Sequence, residues 1–526
     1  MSGSASAVSD KGVYYDPYMR EIVKNPYPTY KRLREEAPLY YNDKYDFYAV
    51  SRYEDVRRGL ADNETFISGR GGILELIKEN MEFPPGVFIF EDPPVHTFHR
   101  TAVQRVFAPR RLLSLEQKVR DITVSCLDKL VGRDEFDIIG DIGAQIPMRV
   151  IGTLLGIPEG DFEAVRENVD AKMRTSEGGQ MDSSAMAQDE SFEEYIDWRM
   201  KNPSDDVMTE LLGVEVTDDT GATRKLTREE LLSFCNVLAG AGNETTNKLI
   251  GWAGKTLAEH PDQRRLLVQD PSLIPDAIEE ILRYEPPGPH IGRYVSKDVE
   301  IQGQIVPAGS TILLLAASAN RDVSAFPDPD RFDVRRVREN AHCTFGYGIH
   351  TCVGQVLARM EGKVFLEEMF KRIPEWDVDL DHAELLSTST VRGWETLPAY
   401  VNSKGAAKIK SDAAARAEAE AAASDAAPAS IDGEWTVTVK GPTGAMDSSL
   451  VVETVGGVLK GSQTGEGTTT EIDEITYENG EVFWVNKITK PMKMKLQFKG
   501  TVEGNTMSGK VKAGFMGSFP FTAIKV

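Results

Sequence analysis

Two hydrophobic periodicities divide this chain. Up to about residue 403, apolar positions recur every three or four residues over long stretches, which predicts helices, with short apolar runs between them. Leu231–Glu259 predicts one long helix. Asp276–Tyr284 (DAIEEILRY) predicts a second, stopped by Pro286 and Pro287, and Gln355–Met369 a third. Asp298–Ile305 and Thr311–Leu315 read as short strands on either side of a Pro307–Gly309 turn. Past residue 404 the large apolar residues nearly vanish, in an Ala/Glu-rich stretch compatible with a semi-rigid helix or a flexible tether. From Ile431 to Val526 the period drops to two, in segments such as WTVTVK and EVFWVNKI broken by Asn479-Gly480 and Glu503-Gly504-Asn505. The pattern therefore predicts a mainly α unit with small β sheets over 1–403, a linker over 404–430, and a separate antiparallel β barrel or sandwich of about eight strands over 431–526. Met492, Met494 and Leu496 share one strand face, read as core, with a ligand cavity as the alternative.

Composition narrows the function classes. With 526 residues and 41% apolar side chains the chain can bury one large core and one small one. A formal charge of -22 argues against a nucleic-acid binder. The start, MSGSASAVSDKG, has no apolar stretch of the secretory kind, and the Thr311–Ala319 run is far too short to cross a bilayer, so no membrane span and a cytoplasmic setting are expected. The four cysteines, Cys126, Cys235, Cys343 and Cys352, contain no CxxC pair, which disfavours a disulfide framework, a zinc site or an iron–sulfur cluster. Cys126 and Cys235 read as small apolar packing. The β segment has no cysteine, and no strand–GxGxxG–helix unit signals a fused flavin or nicotinamide module.

One segment carries chemistry. Phe345–Gly354 reads FGYGIHTCVG. It resembles the haem-binding loop of the cytochromes P450, FGxGxHxCxG, at every fixed position. The resemblance covers residues 1 to about 403 and is to the soluble bacterial type, with the small β domain as an appendage. It implies haem b with Cys352 as thiolate iron ligand, a ligand whose electron donation favours O–O cleavage. It implies that His96 and Arg100, in PPVHTFHR, together with Arg293 and His350, hold the haem carboxylates; arginine's planar donor fork suits that task. Glu280 and Arg283 match the family's ExxR pair, a structural support expected to engage Arg331 of PDPDRFD. His99 receives no role from the resemblance.

Ala241-Gly242-Asn243-Glu244-Thr245-Thr246 resembles the family's oxygen-site signature. The resemblance implies that small residues at 241 and 242 leave room over the iron, that Thr245 hydrogen-bonds the bound oxygen, and that Glu244 relays protons. By the same correspondence the substrate pocket draws on Phe83, Phe88, Leu238, Ala241, Ile291, Val391 and Trp394, with a polar stretch over 178–193 as lid material. An apolar lining implies a lipophilic substrate such as a terpene or steroid. The implied reaction is hydroxylation with O2 and two electrons from a ferredoxin and its reductase. Arg100, Arg105, Arg110, Arg111 and Arg359 are candidates for a basic docking face. Open alternatives are a peroxide-driven oxygenase and a haem-based ligand-binding or sensing protein. For the β domain, protein contact, dimerisation and ligand capture all stay open.

Overall fold

In the computed structural model the chain divides into two compact units, Met1–Ala406 and Ala407–Val526. The structure describes residues 12–401 and 430–526, apart from 176–178, 180–191, 218–220, 387 and 389 in the first unit and 442–443, 456–457, 466–467, 473–474, 479, 489–493 and 514–517 in the second. The linker expected over 404–430, most of the expected lid, and Met492 lie outside the described residues.

Six helices position the site: α1 (Val95–Val106), α2 (Ile146–Leu155), α3 (Phe162–Met173), α4 (Arg228–Glu259), α5 (Ile274–Tyr284) and α6 (Gln355–Arg372). α4 begins three residues earlier than the periodicity predicts. Thr227 accepts a hydrogen bond from the Glu230 backbone N–H, and the Glu230 side chain reaches back to the Thr227 N–H, closing a capping box. α4 runs through the centre of the unit and buries side chains on most of its circumference, from Leu231 and Phe234 to Trp252 and Leu257. It packs on α2, α5 and α6. The apolar stretch Ile138–Leu155 is long enough to cross a membrane, but 72% of it is buried in this core.

A five-stranded sheet flanks the helices. Its strands are β1 (Leu39–Asn42), β2 (Phe47–Val50), β3 (Phe66–Ile67), β4 (Ile291–Val295) and β5 (Thr311–Leu314), in the spatial order β1-β2-β5-β4-β3. β5 lies parallel to β2 and antiparallel to β4, with Ile312 opposite Arg293. The single strand expected over Asp298–Ile305 is instead a hairpin, Val299–Ile301 against Gln304–Val306. Gln302 and Gly303 both take positive φ, 51° and 74°, as a two-residue hairpin turn requires.

The second unit is all β. Nine strands, β6 (Gly433–Gly441), β7 (Gly444–Val455), β8 (Val458–Gly465), β9 (Thr468–Ile472), β10 (Ile475–Glu478), β11 (Glu481–Ile488), β12 (Met494–Glu503), β13 (Thr506–Ala513) and β14 (Ser518–Lys525), follow one another, each consecutive pair except β9 and β10 forming an antiparallel hairpin. β14 closes on β6, leaving β9 and β10 at the two ends of the sheet order. The sheet is therefore a nearly closed barrel, with one strand more than the sequence pattern suggests. Its interior is filled. Trp484 stacks on Phe498 at 4.5 Å, and Phe521 meets both rings edge-on. Gln463 of β8 bonds across to β11, accepting from the Trp484 Nε1–H at 3.1 Å and from Asn486 Nδ2 at 3.2 Å.

Candidate active site

Cys352 sits at the end of a tightly wound loop, just before α6. Gly346 and Gly348 take φ of 69° and 74°. A side chain at Gly348 would place its Cβ 2.9 Å from the Leu60 carbonyl oxygen, so the close approach to the preceding helix itself demands glycine. The Cys352 N–H donates to the Phe345 carbonyl at 2.8 Å and the Gly346 N–H to the Cys343 carbonyl at 2.9 Å, which fixes the loop. Cys126, Cys235 and Cys343 are buried, while Cys352 is only half-buried. Burial pushes the Cys352 thiol up; the N–H groups of Gly354 and Gln355, at the start of α6, and the charges of Arg100 and Arg359 pull against it. Donors and cations thus converge on this sulfur, as a thiolate ligand needs.

Around the loop stand four basic side chains, three from two other places in the sequence and one from within it. His96 and Arg100 come from α1, Arg293 from β4 and His350 from the loop. The rings of His96 and His350 lie 4.3 Å apart. Burial, then the charge of Arg100, pushes His96 down to about 4; burial, then Arg293, pushes His350 down to about 3. Burial also lowers Arg293, to about 10, with Asp92 only partly opposing. Arg293 donates to the Gly292 carbonyl, and Arg100 to the Thr351 carbonyl. His96 Nε2, His350 Nε2 and Arg100 Nε are buried without a hydrogen-bond partner. Cationic and donor groups buried in this way are costly unless an anion joins them. The cluster therefore fits a group that brings carboxylates, as haem does.

On α4, Ala241 is exposed although it lies mid-helix, and Thr245, one turn on, is half-buried. This face looks onto open volume inside the fold. The Thr245 hydroxyl donates to the Ala241 carbonyl at 2.7 Å. Gly242 does not contribute to that opening: a Cβ there would meet Ile151 of α2 at 3.3 Å, so its small size serves helix packing. Glu244 is buried and lines a different volume, a polar cavity of about 300 Å³ shared with Arg166, Arg174, Asn247, Lys248 and Glu395. Adjacent helical residues point about 100° apart, so the acid faces the polar cavity and the alcohol the open volume, and the two stand side by side between these spaces.

The ExxR pair is fully buried, and here the structure corrects the sequence reading. Arg283 donates to both Glu280 oxygens at 2.7 and 2.8 Å. The second guanidinium on Glu280 belongs to Arg336, at 3.0 and 3.1 Å, and not to Arg331. The Arg331 side chain is 63% exposed and pairs with Asp333; this residue contributes its carbonyl, which accepts from Arg283 and Arg336. Three arginines in the DRFDVRR run, Arg331, Arg335 and Arg336, made the choice ambiguous in sequence.

Among the expected pocket residues, Ala241 alone faces open volume plainly. Phe88 is wedged against Phe234 at 5.6 Å and Trp394 against Trp252 at 5.6 Å, both in the packed core with Leu238. Phe83 packs on Phe90 at 4.7 Å, Ile291 is half-buried, and Val391 lines a small separate cavity with Tyr15, Tyr30 and Arg392. The basic docking face also shrinks. Arg100 is part-buried at the loop, Arg359 is held by Glu279 and Arg111 by Glu210, which leaves Arg105 and Arg110 exposed. The sequence reading missed one cluster entirely, His99 between Glu91 and Glu230.

Comparison with known proteins agrees with this geometry. Residues 169–384 match the family model described as Cytochrome P450. The chain is 34% identical over 403 residues to a putative cytochrome P450 123 of Mycobacterium tuberculosis, covering 76% of this chain and 99% of the relative. It is 33% identical over 398 residues to the vitamin D(3) 25-hydroxylase of Pseudonocardia autotrophica, covering 74% and 98%. The solved structure of cytochrome P450 CYP109Q5 from Chondromyces apiculatus superposes with a TM-score of 0.66 at 35% identity, covering 74% of this chain and 98% of that one. The chain belongs to the cytochrome P450 family. It is a P450 monooxygenase, and its cofactor is haem with cysteine-ligated iron.

Proposed function

We propose that Cys352 would hold the haem iron through its thiolate and that the enzyme hydroxylates a lipophilic small molecule of the terpene or steroid kind. The observation that carries this reading is the convergence on one loop of a cysteine with helix-start N–H donors and of His96, Arg100 and His350, each with a buried nitrogen that lacks a partner, beside the buried Arg293. Bound haem supplies the oxygen-activating chemistry. His96, Arg100, Arg293 and His350 hold its carboxylates and so fix its orientation. The Gly354 and Gln355 N–H groups hold negative charge on Sγ. Thr245, whose hydroxyl hydrogen goes to the Ala241 carbonyl, turns its oxygen to the open volume beside α4, where it would hold or hand on a proton. Glu244 takes protons from the polar cavity beside Arg166 and Arg174 and passes them toward Thr245. A relay of this kind supports an O2-dependent reaction over a peroxide-driven one, which has no need for it, and over a purely ligand-binding protein.

The lipophilic substrate is supported by the apolar segment Ile73–Phe90 and by the relative named for vitamin D(3) hydroxylation. A cytoplasmic setting and a ferredoxin with its reductase complete the proposal, with Arg105 and Arg110 as what remains of a docking face. The unit at 1–403 carries catalysis, and the barrel at 431–526 is a protein-contact or dimerisation module. Reconstitution with a ferredoxin, its reductase, NADPH and 18O2, against a panel of steroids and terpenes, tests this. Label in a hydroxylated product that depends on all three components is expected. Turnover with hydrogen peroxide alone at the same rate would contradict it.

A further inference from the structure

His99 stands between two carboxylates. Its Nδ1 lies 2.8 and 2.7 Å from the two Glu91 oxygens, and its Nε2 lies 3.0 Å from Glu230 Oε1. The ring is buried, flanked by Phe98 at 4.4 Å and Phe234 at 5.4 Å. An ionised carboxylate only accepts hydrogen bonds, and a neutral imidazole has only one N–H to give. Two carboxylates on the two ring nitrogens therefore call for an imidazolium. Among the described residues, the other charged groups that face it have partners of their own. Arg224 donates to both Glu230 oxygens at 2.7 and 2.8 Å, the Thr227 N–H adds a bond at 2.7 Å, and the Gly86 N–H donates to Glu91 Oε1 at 2.9 Å. His96, one turn before His99 on α1, is held neutral by burial and by Arg100, and Arg100 itself donates to the Thr351 carbonyl. Asp92 accepts from the N–H groups of Ser68 and Gly69.

The three residues belong to three elements, and that gives the cluster a mechanical meaning. Glu91 ends the segment Pro84–Glu91, His99 lies on α1, and Glu230 is in the first turn of α4. The segment presses directly on α4. A Cβ at Gly86, which has a φ of +92°, would lie 2.8 Å from the Glu230 carbonyl oxygen, and Phe88 meets Phe234 one turn further along.

We propose that His99 is a positioning residue, a doubly protonated latch that fastens the pocket-wall segment Pro84–Glu91 to the start of α4 and releases it on losing one proton to bulk water. The proposal rests on the reading that this segment forms a wall of the haem pocket. On deprotonation one carboxylate faces a ring lone pair instead of an N–H, and the three-way link loses one arm. Burial disfavours the charge on His99, but the hydrogen bonds it donates to Glu91 and Glu230 outweigh it and raise its pKa above the ordinary value of 6.5. The latch is thus closed at neutral pH and opens in alkali.

Carbon monoxide, which does not titrate, probes the pocket. Its rebinding after flash photolysis of the reduced full-length holoenzyme is recorded between about pH 6 and pH 10, a range bracketing a raised histidine pKa. The wild-type rate should rise severalfold with pH along a single-proton curve. Glu91→Gln gives a neutral His99 a donor on one side and an acceptor on the other, so it should stay slow and flat in pH. His99→Leu should be fast and flat. A flat wild-type profile, or a Glu91→Gln variant that keeps the wild-type titration, would overturn the latch, whether or not His99→Leu folds. The reduced carbon-monoxide band separates the two levels: a thiolate band with flat rates refutes the latch alone, and no thiolate band refutes the pocket reading beneath it.

Discussion

Arg283 and Arg293 are both buried guanidiniums in the same unit, and the fold treats them in opposite ways. Arg283 is closed off. Glu280 takes two of its donors, the carbonyls of Asn320 and Pro329 take others, and Arg336 completes the arrangement through the carbonyls of Pro327, Asp328 and Arg331. Arg293 has a neighbouring carbonyl and a distant Asp92, and the His96, Arg100 and His350 beside it retain partnerless nitrogens. A buried charge met by protein is scaffold; a buried charge left unmet is a receptor for an anion. The finished cluster fastens α5 to the chain between Asn320 and Arg336, while the unmet one stands at the cysteine loop, through Arg100 on the Thr351 carbonyl and His96 beside His350.

The largest effect should come from breaking the finished cluster. Arg336→Ala leaves Glu280 short of a partner in a site that excludes water, and should cost about 3–5 kcal/mol in urea unfolding. Arg331→Ala, which removes only an exposed side chain, should cost less than about 0.5 kcal/mol. Equal losses would dissolve the distinction between the two arginines.

Next comes the chemistry on α4. Glu244→Gln should bind haem and carbon monoxide as the wild type does, but form product about 100-fold more slowly. Its solvent deuterium isotope effect should also be larger. Thr245→Ala should keep consuming O2 while product falls, detected by comparing oxygen uptake with hydroxylated product.

Arg293→Leu sharpens the comparison by the sign of its effects. The apoprotein should unfold at the same or a higher urea concentration, because an unmet buried cation has gone. Haem binding should weaken by about 1.5–3 kcal/mol, the worth of a hydrogen bond to a charged group, measured by transfer to apomyoglobin. A destabilised apoprotein would place Arg293 with the scaffold instead.

A further effect is in pH. His96 and His350 have folded pKa values near 4 and 3, below the 6.5 of an unfolded histidine. Between those limits the unfolded chain binds more protons, so apoprotein stability should fall as pH drops from about 6.5 toward 4. Haem should flatten that slope by giving the two rings partners. His99, with its pKa raised, contributes stability that is present below about 6.5 and lost as pH climbs through its folded pKa, so the windows do not overlap.

Much of this was legible in the sequence because local chemistry wrote it there. The cysteine loop carries glycines at its two positive-φ positions, and α4 announces itself by period. The barrel's alternation is clear, although its strand number depends on how the weakly apolar segments near Thr468–Glu478 pair. What was not legible is long-range. Nothing local distinguishes Arg336 from Arg331, since the choice depends on which one the chain turns toward Glu280. Nothing in HTFHR says that Glu91 and Glu230 will flank His99. Gly242 looked like an oxygen-site residue because the helix face it occupies is set by the packing of Ile151. The expected pocket aromatics Phe88 and Trp394 were assigned by position along the chain, whereas their rings are claimed by Phe234 and Trp252.

The central claim is that Cys352 holds the iron as a thiolate, and the difference spectrum of the dithionite-reduced protein with carbon monoxide tests it most directly. The wild type and Cys343→Ala should both give the thiolate Soret band at about 450 nm, and Cys352→Ala should lose it while its far-UV dichroism stays that of a folded protein. A wild type whose band is that of a neutral ligand, or a Cys352→Ala variant that keeps the thiolate band, would contradict the account.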